Sequence, residues 1–182
     1  MHGIVHKTLK EYVVEKTDEE TWETVVDRAG LEPKLYLPVS RYEDDEIDAI
    51  LETLAAMTTA DRRTIERDFG RALAPELLST FKAHVRAEWG PEDVLASIGT
   101  IADSVEGTTG DGTLPDVSSS VDPDGDAVAI AYRTHREHVY CGLAHGILEG
   151  LVAEFGADAT VAKQACLEDP DGDRCRFRVE FG

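Results

Sequence analysis

Tyr132, Thr134 and Arg136 place a phenol, an aliphatic hydroxyl and a guanidinium at i, i+2 and i+4. In an extended or turning segment alternate side chains share one side, so the three donors can converge. Such a set suits a carboxylate, which takes charge-assisted hydrogen bonds from a guanidinium and further bonds from hydroxyls. The pattern alone also occurs at ordinary strand ends that carry an exposed Arg. Its setting is more specific: a strand-like run, Ala127 to Ala131, precedes it and a long apolar-periodic segment follows. The trio therefore sits where a strand hands over to a helix.

The elements that must position it read as a single α+β domain over residues 1–182, helical at first and then an antiparallel sheet with a long helix, large enough to enclose a ligand pocket. Residues 3–14 carry Ile4, Val5, Leu9, Tyr12 and Val13 at helical spacing. Thr17 with Glu20 predicts a capping box for a helix that buries Trp22, Val25 and Val26 and stops at Gly30. Ile47, Ile50, Leu51 and Leu54 mark a third helix. Thr59 opens a short fourth with Ile65 and Phe69, and Pro75 suits the first turn of a separate helix after it. From Pro91, one helix running to Gly107 turns Val94, Leu95, Ile98, Ile101, Ala102 and Val105 inward, and residues 107–113 read as a flexible loop. Two strands flank a tight turn at Asp122 to Gly125, a helix spans 137–155, and 158–167 with 174–181 form a hairpin.

On these residues the chain resembles, over nearly its whole length, the heme nitric oxide/oxygen binding domains, the sensor fold of bacterial gas sensors and of the regulatory part of soluble guanylate cyclase. The resemblance rests on Met1 to Gly3 with the helix that follows, Trp22, the Phe69-Gly70 pair, Leu114-Pro115, the Tyr132/Thr134/Arg136 motif and the closing hairpin from Cys166 to Phe181. The family motif is Tyr-x-Ser-x-Arg, and Thr134 keeps the hydroxyl. The resemblance implies that Tyr132, Thr134 and Arg136 bind heme propionates, that Pro115 touches the ring, and that Val5 and Leu9 line the pocket. It also implies a helix-borne His ligating iron about a dozen residues before the Pro-containing loop. That position falls on Ala102, and no His occurs between Val85 and Tyr132. Ala has no donor atom, so iron ligation from this place is excluded.

Substitutes for the missing ligand depend on register. If the last helix follows Arg136 without insertion, Cys141 and His145 project over the heme. If Gly146-Ile147-Leu148 instead matches the family's Gly-plus-aliphatic segment, Leu143 and Ile147 line the pocket. The stripe Tyr140, Leu143, Ala144, Ile147, Leu148, Leu151 and Phe155 favours the second register and leaves His145 on the flank. His2, His6 and His84 have weaker cases. A pocket without a hydrogen-bond donor beside the ligand favours NO, or an apolar ligand, over stabilised O₂.

Net charge narrows the partners. With 37 Asp and Glu against 18 Lys and Arg, the formal charge is -19, which repels phosphate backbones and anionic membranes. The acids are scattered, Arg outnumbers Lys and 42% of residues are apolar, as suits a folded protein adapted to concentrated salt. No secretory leader and no membrane-length apolar run is read, so the chain is expected to be cytoplasmic. The Asp-rich turns near Asp124 and Asp171 lack the spaced ligands of an EF-hand. Cys166 and Cys175 could face each other across the hairpin, but with a distant Cys141 they make neither a disulfide framework nor a four-ligand zinc site.

Two functions follow. One is a heme and NO sensor signalling through a separate histidine kinase, cyclic-dinucleotide enzyme or chemoreceptor. The other is a heme-independent small-molecule or protein-interaction sensor on the same fold. Neither is an enzyme, since no nucleophile-base pair or phosphate loop stands out.

Overall fold

A computed structural model describes residues 1–109 and 114–182. The first half is helical: α1 (Gly3–Lys16), α2 (Glu19–Arg28), α3 (Asp44–Met57) and α4 (Arg62–Thr80), followed by a short 3-10 turn at Lys82–His84. Helices α5 (Pro91–Ala96) and α6 (Ile98–Thr109) then lead into the strands β1 (Asp116–Val121) and β2 (Ala127–Arg133). Helix α7 (Cys141–Glu154) precedes β3 (Ala159–Ala165) and β4 (Cys175–Phe181). The four strands form one antiparallel sheet in the order β1-β2-β4-β3, with Tyr132 opposite Val117 on one side and Cys175 on the other.

Local chemistry explains most boundaries. His2 caps α1, its Nδ1 accepting from the Ile4 N–H at 3.3 Å. The cap of α2 lies one residue later than Thr17 with Glu20 suggested: Asp18 accepts from the Thr21 N–H at 2.7 Å, while the Thr17 hydroxyl donates back to the Val13 carbonyl. Asp61 caps α4 in the same way through Thr64.

Three expected boundaries move. Pro75 does not start a new helix, because α4 runs through it from Arg62 to Thr80. A proline inside a helix leaves the carbonyl four residues back without its donor. Here that carbonyl belongs to Arg71, and Gly150 of α7 lies against it without a side chain to collide. The single helix expected from Pro91 is two, broken at Ser97, and the second runs past Gly107 to Thr109. Of the loop expected at 107–113, residues 110–113 lie outside the described residues. Helix α7 starts at Cys141 rather than at 137, because Tyr140 takes a left-handed conformation with φ 51. Among the described residues it is the sole non-glycine with positive φ.

Two cores result. Val5, Leu9, Val25, Ile47, Ile50, Leu51, Phe69 and Leu73 pack among α1 to α4. Val128, Ile130, Cys175, Phe177 and Val179 of the sheet pack on Leu148, Leu151 and Val152 of α7. Helix α7 joins the cores by lying against α4 backbone to backbone. A methyl group at Gly142, Gly146 or Gly150 would collide with the carbonyls of Arg63, Arg67 and Arg71 in turn. No helix of the described residues is long and apolar enough to cross a membrane.

Candidate ligand-binding site

Between the two cores lies a cavity of about 310 Å³. Val5 of α1, Leu73 and Leu77 of α4, Ala102 of α6, and Leu143 and Ile147 of α7 line it, with Ile130 and Phe177 of the sheet. Its wall is almost wholly apolar, and the polar side chains at it include Tyr132, Tyr140 and Arg136. An apolar hollow with a few grouped polar side chains is the usual form of a small-molecule site.

Each member of the trio has a protein partner. The Tyr132 hydroxyl donates to the Val139 carbonyl at 3.1 Å, and burial pushes its pKa up to about 12. Thr134 is buried behind the cavity wall and accepts the Arg136 N–H at 3.1 Å. That bond turns the chain so that the Arg136 side chain reaches the rim. Its Nε donates to Asp44 at 2.6 Å. Burial opposes ionisation of Asp44, but the N-terminal ammonium 2.7 Å away and Arg136 hold its carboxyl below the usual range.

Asp48 performs a related task one turn further along α3. It accepts from the Tyr140 hydroxyl at 2.9 Å and pairs with Arg62. Arg62 also holds the buried Glu66 at 2.9 Å, and Glu66 takes His138 at 2.8 Å. The network holds Tyr140 in its strained backbone conformation, with its hydroxyl given to Asp48. Asp44, Asp48, Arg62, Glu66 and Tyr140 are site residues that sequence reasoning missed.

A family model described as Haem-NO-binding matches residues 2–163. The chain belongs to this family. A search of curated proteins finds no match. Among solved structures it is similar to an H-NOX protein from Shewanella oneidensis in the Fe(II)NO state, with TM-score 0.89 and 18% identity, covering 100% of this chain and 99% of that one. A triple mutant of an H-NOX protein from the same organism, in the Fe(II) state, gives TM-score 0.88 and 21% identity, with 100% and 96% covered. An Ala-to-Gly mutant of an H-NOX protein from K. algicida, Fe(II) unliganded, gives 0.83 and 18%, with 100% and 97% covered. These likenesses concern the fold.

Placed on this haem-NO-binding fold, Val5, Ala102, Pro115, Tyr132 and Arg136 line the cavity. Leu9 does not: it is fully buried among the helices, facing the core beside the pocket. His145 turns from the cavity to donate from Nε2 to the Val161 carbonyl at 3.1 Å, with its ring near Phe177. Burial lowers its pKa. The second of the two registers for α7 is the one adopted, with Leu143 and Ile147 at the cavity and Cys141 outside its lining. Cys141 is not distant from the other thiols: its sulfur and those of Cys166 and Cys175 lie within 4.8 Å of one another, all buried. The β3–β4 hairpin folds back over the first turn of α7, a closeness that spacing in the sequence did not reveal.

Proposed function

We propose that this chain is a heme-binding sensor domain whose porphyrin carboxylates are anchored at the cavity rim by Tyr132 and Arg136, with Thr134 positioning Arg136 from behind and no iron ligand from α6. One observation carries the reading: an apolar cavity with a guanidinium and a phenol at its edge, a combination that fits a flat apolar ring bearing carboxylates. The donors at the rim fit the carboxylates, and α6 offers none to the iron, since Ala102 presents only a methyl group there. Heme, when bound, supplies an iron centre that takes NO.

The protein's own groups do the rest. Arg136 offers five N–H donors in a planar fork, so a propionate can share it with Asp44 or displace that carboxylate. Thr134 keeps the Arg136 backbone turned to the rim. Val5, Leu73, Leu77, Leu143 and Ile147 exclude water and offer no hydrogen bond to a diatomic ligand, while the Tyr140 hydroxyl is already given to Asp48. That environment favours NO over O₂. The reading gives the chain no catalytic role and places it in the cytoplasm, signalling through a separate histidine kinase, cyclic-dinucleotide enzyme or chemoreceptor.

A second reading, a heme-independent small-molecule or protein-interaction module, is favoured by the Asp44–Arg136 pair, which gives the guanidinium a carboxylate partner within the protein itself. A heme titration in molar salt separates them. Saturable uptake of one heme per chain, with a Soret shift on adding NO, supports the sensor; no uptake by folded protein supports the heme-free module.

A further inference from the structure

Resting on the heme reading above, we infer that His2 is the iron ligand, so that ligation has moved from α6 to the N-terminus of α1. The chain has six histidines, and His2 is the one that lines the cavity. His6 is buried in the helical core between the rings of Tyr36 and Tyr42, 5.1 Å from each. His84 is bonded to Ser104 at 2.8 Å, His135 to Asp116 at 3.1 Å and His138 to Glu66 at 2.8 Å. His145 faces β3.

The other donor types are weaker. The three cysteines cluster between α7 and the β3–β4 hairpin, outside the lining. Tyr132 and Tyr140 do line it, but each hydroxyl donates within the protein and burial disfavours both phenolates. The Met1 side chain offers a thioether, a poorer donor than imidazole, and its ammonium is paired with Asp44 at 2.7 Å.

Coordination has a structural cost built into the fold. The His2 Nδ1 accepts the Ile4 N–H, so the neutral ring carries its proton on Nε2. To give Nε2 to iron, the ring must hold its proton on Nδ1 instead, and the cap of α1 is released. The same segment is stitched to the loop before α3, with Gly3 N–H donating to the Ser40 carbonyl at 2.7 Å and Tyr42 N–H to the Met1 carbonyl at 3.1 Å. The exposed Leu35, Leu37 and Val39 lie on that loop. Making or breaking the iron–His2 bond therefore acts on a surface segment without any help from α6.

The test is resonance Raman spectroscopy and heme affinity of the full chain loaded with ferrous heme. His2→Asn keeps an oxygen able to cap Ile4 and so separates ligation from folding. The expected result is an iron–imidazole stretching band in the wild type, lost in His2→Asn together with about 10–100-fold of heme affinity, restored by added imidazole in His2→Gly, and retained in His145→Ala. Heme uptake with no such band, or a band that survives in His2→Asn, overturns the assignment and leaves the heme reading standing. Failure of the folded wild type to take up heme overturns both.

Discussion

Helices α7 and α6 both face the cavity, but α7 is locked onto α4 by glycines at 142, 146 and 150, whereas α6 reaches the cavity with the methyl of Ala102. In the first seam there is no space for one added carbon. At the second there is open volume where a ligand's centre would lie. The contrast separates what holds the fold from what can change: a site with only a methyl group on α6 still has a pocket, because the walls that shape it are fixed by the α4–α7 seam.

The comparison breaks if the seam proves soft. Gly146→Ala forces α4 and α7 apart and should cost about 3 kcal/mol or more, lowering the melting temperature by about 6–12 °C in a chain of this size. Ala102→Leu extends into open space and should change stability by about 1 kcal/mol or less while blocking ligand uptake. Thermal denaturation in molar salt compares them directly, and equal losses would remove the distinction. A paired truncation sharpens it inside one helix. Leu9→Ala, in the closed core, should cost roughly 2–4 kcal/mol, and Val5→Ala, at the cavity, about 1 kcal/mol or less because part of its surface meets no protein atom.

The smallest effect expected is on pH dependence. His6 is fully buried with its pKa lowered by desolvation, so its neutral form belongs to the folded state. A depressed folded pKa gives stability that is complete above the unfolded value, near 6.5, and lost as pH falls through the folded value. Urea midpoints should therefore decline below about pH 6.5, with a gentler slope in His6→Gln. Asp44, also depressed but an acid, adds its loss only below about pH 4.

These differences mark what sequence could and could not show. The trio was legible because its three members are two residues apart on one strand end. Asp44 and Asp48 were not, because their site role comes from side chains 92 positions away in the chain, Arg136 for Asp44 and Tyr140 for Asp48. The α4–α7 seam did leave a signal, glycines at i, i+4 and i+8, and it accounts for the tolerated Pro75 as well. Leu9 and Val5 share one apolar stripe, and periodicity cannot say which of two neighbours meets a core and which a cavity. The Cys141 cluster and the left-handed Tyr140 depend on how the hairpin folds over α7, which no local pattern encodes.

The central claim is that a carboxylate-bearing ring is held at the rim rather than by α6. Its most direct test is heme dissociation from wild type and Arg136→Ala, both checked for folding by circular dichroism. Loss of one charge-assisted contact, about 1.5–3 kcal/mol, predicts dissociation roughly 10–100-fold faster from the variant. Equal rates from two folded proteins would contradict the account, since the guanidinium at the rim would then hold Asp44 and nothing else.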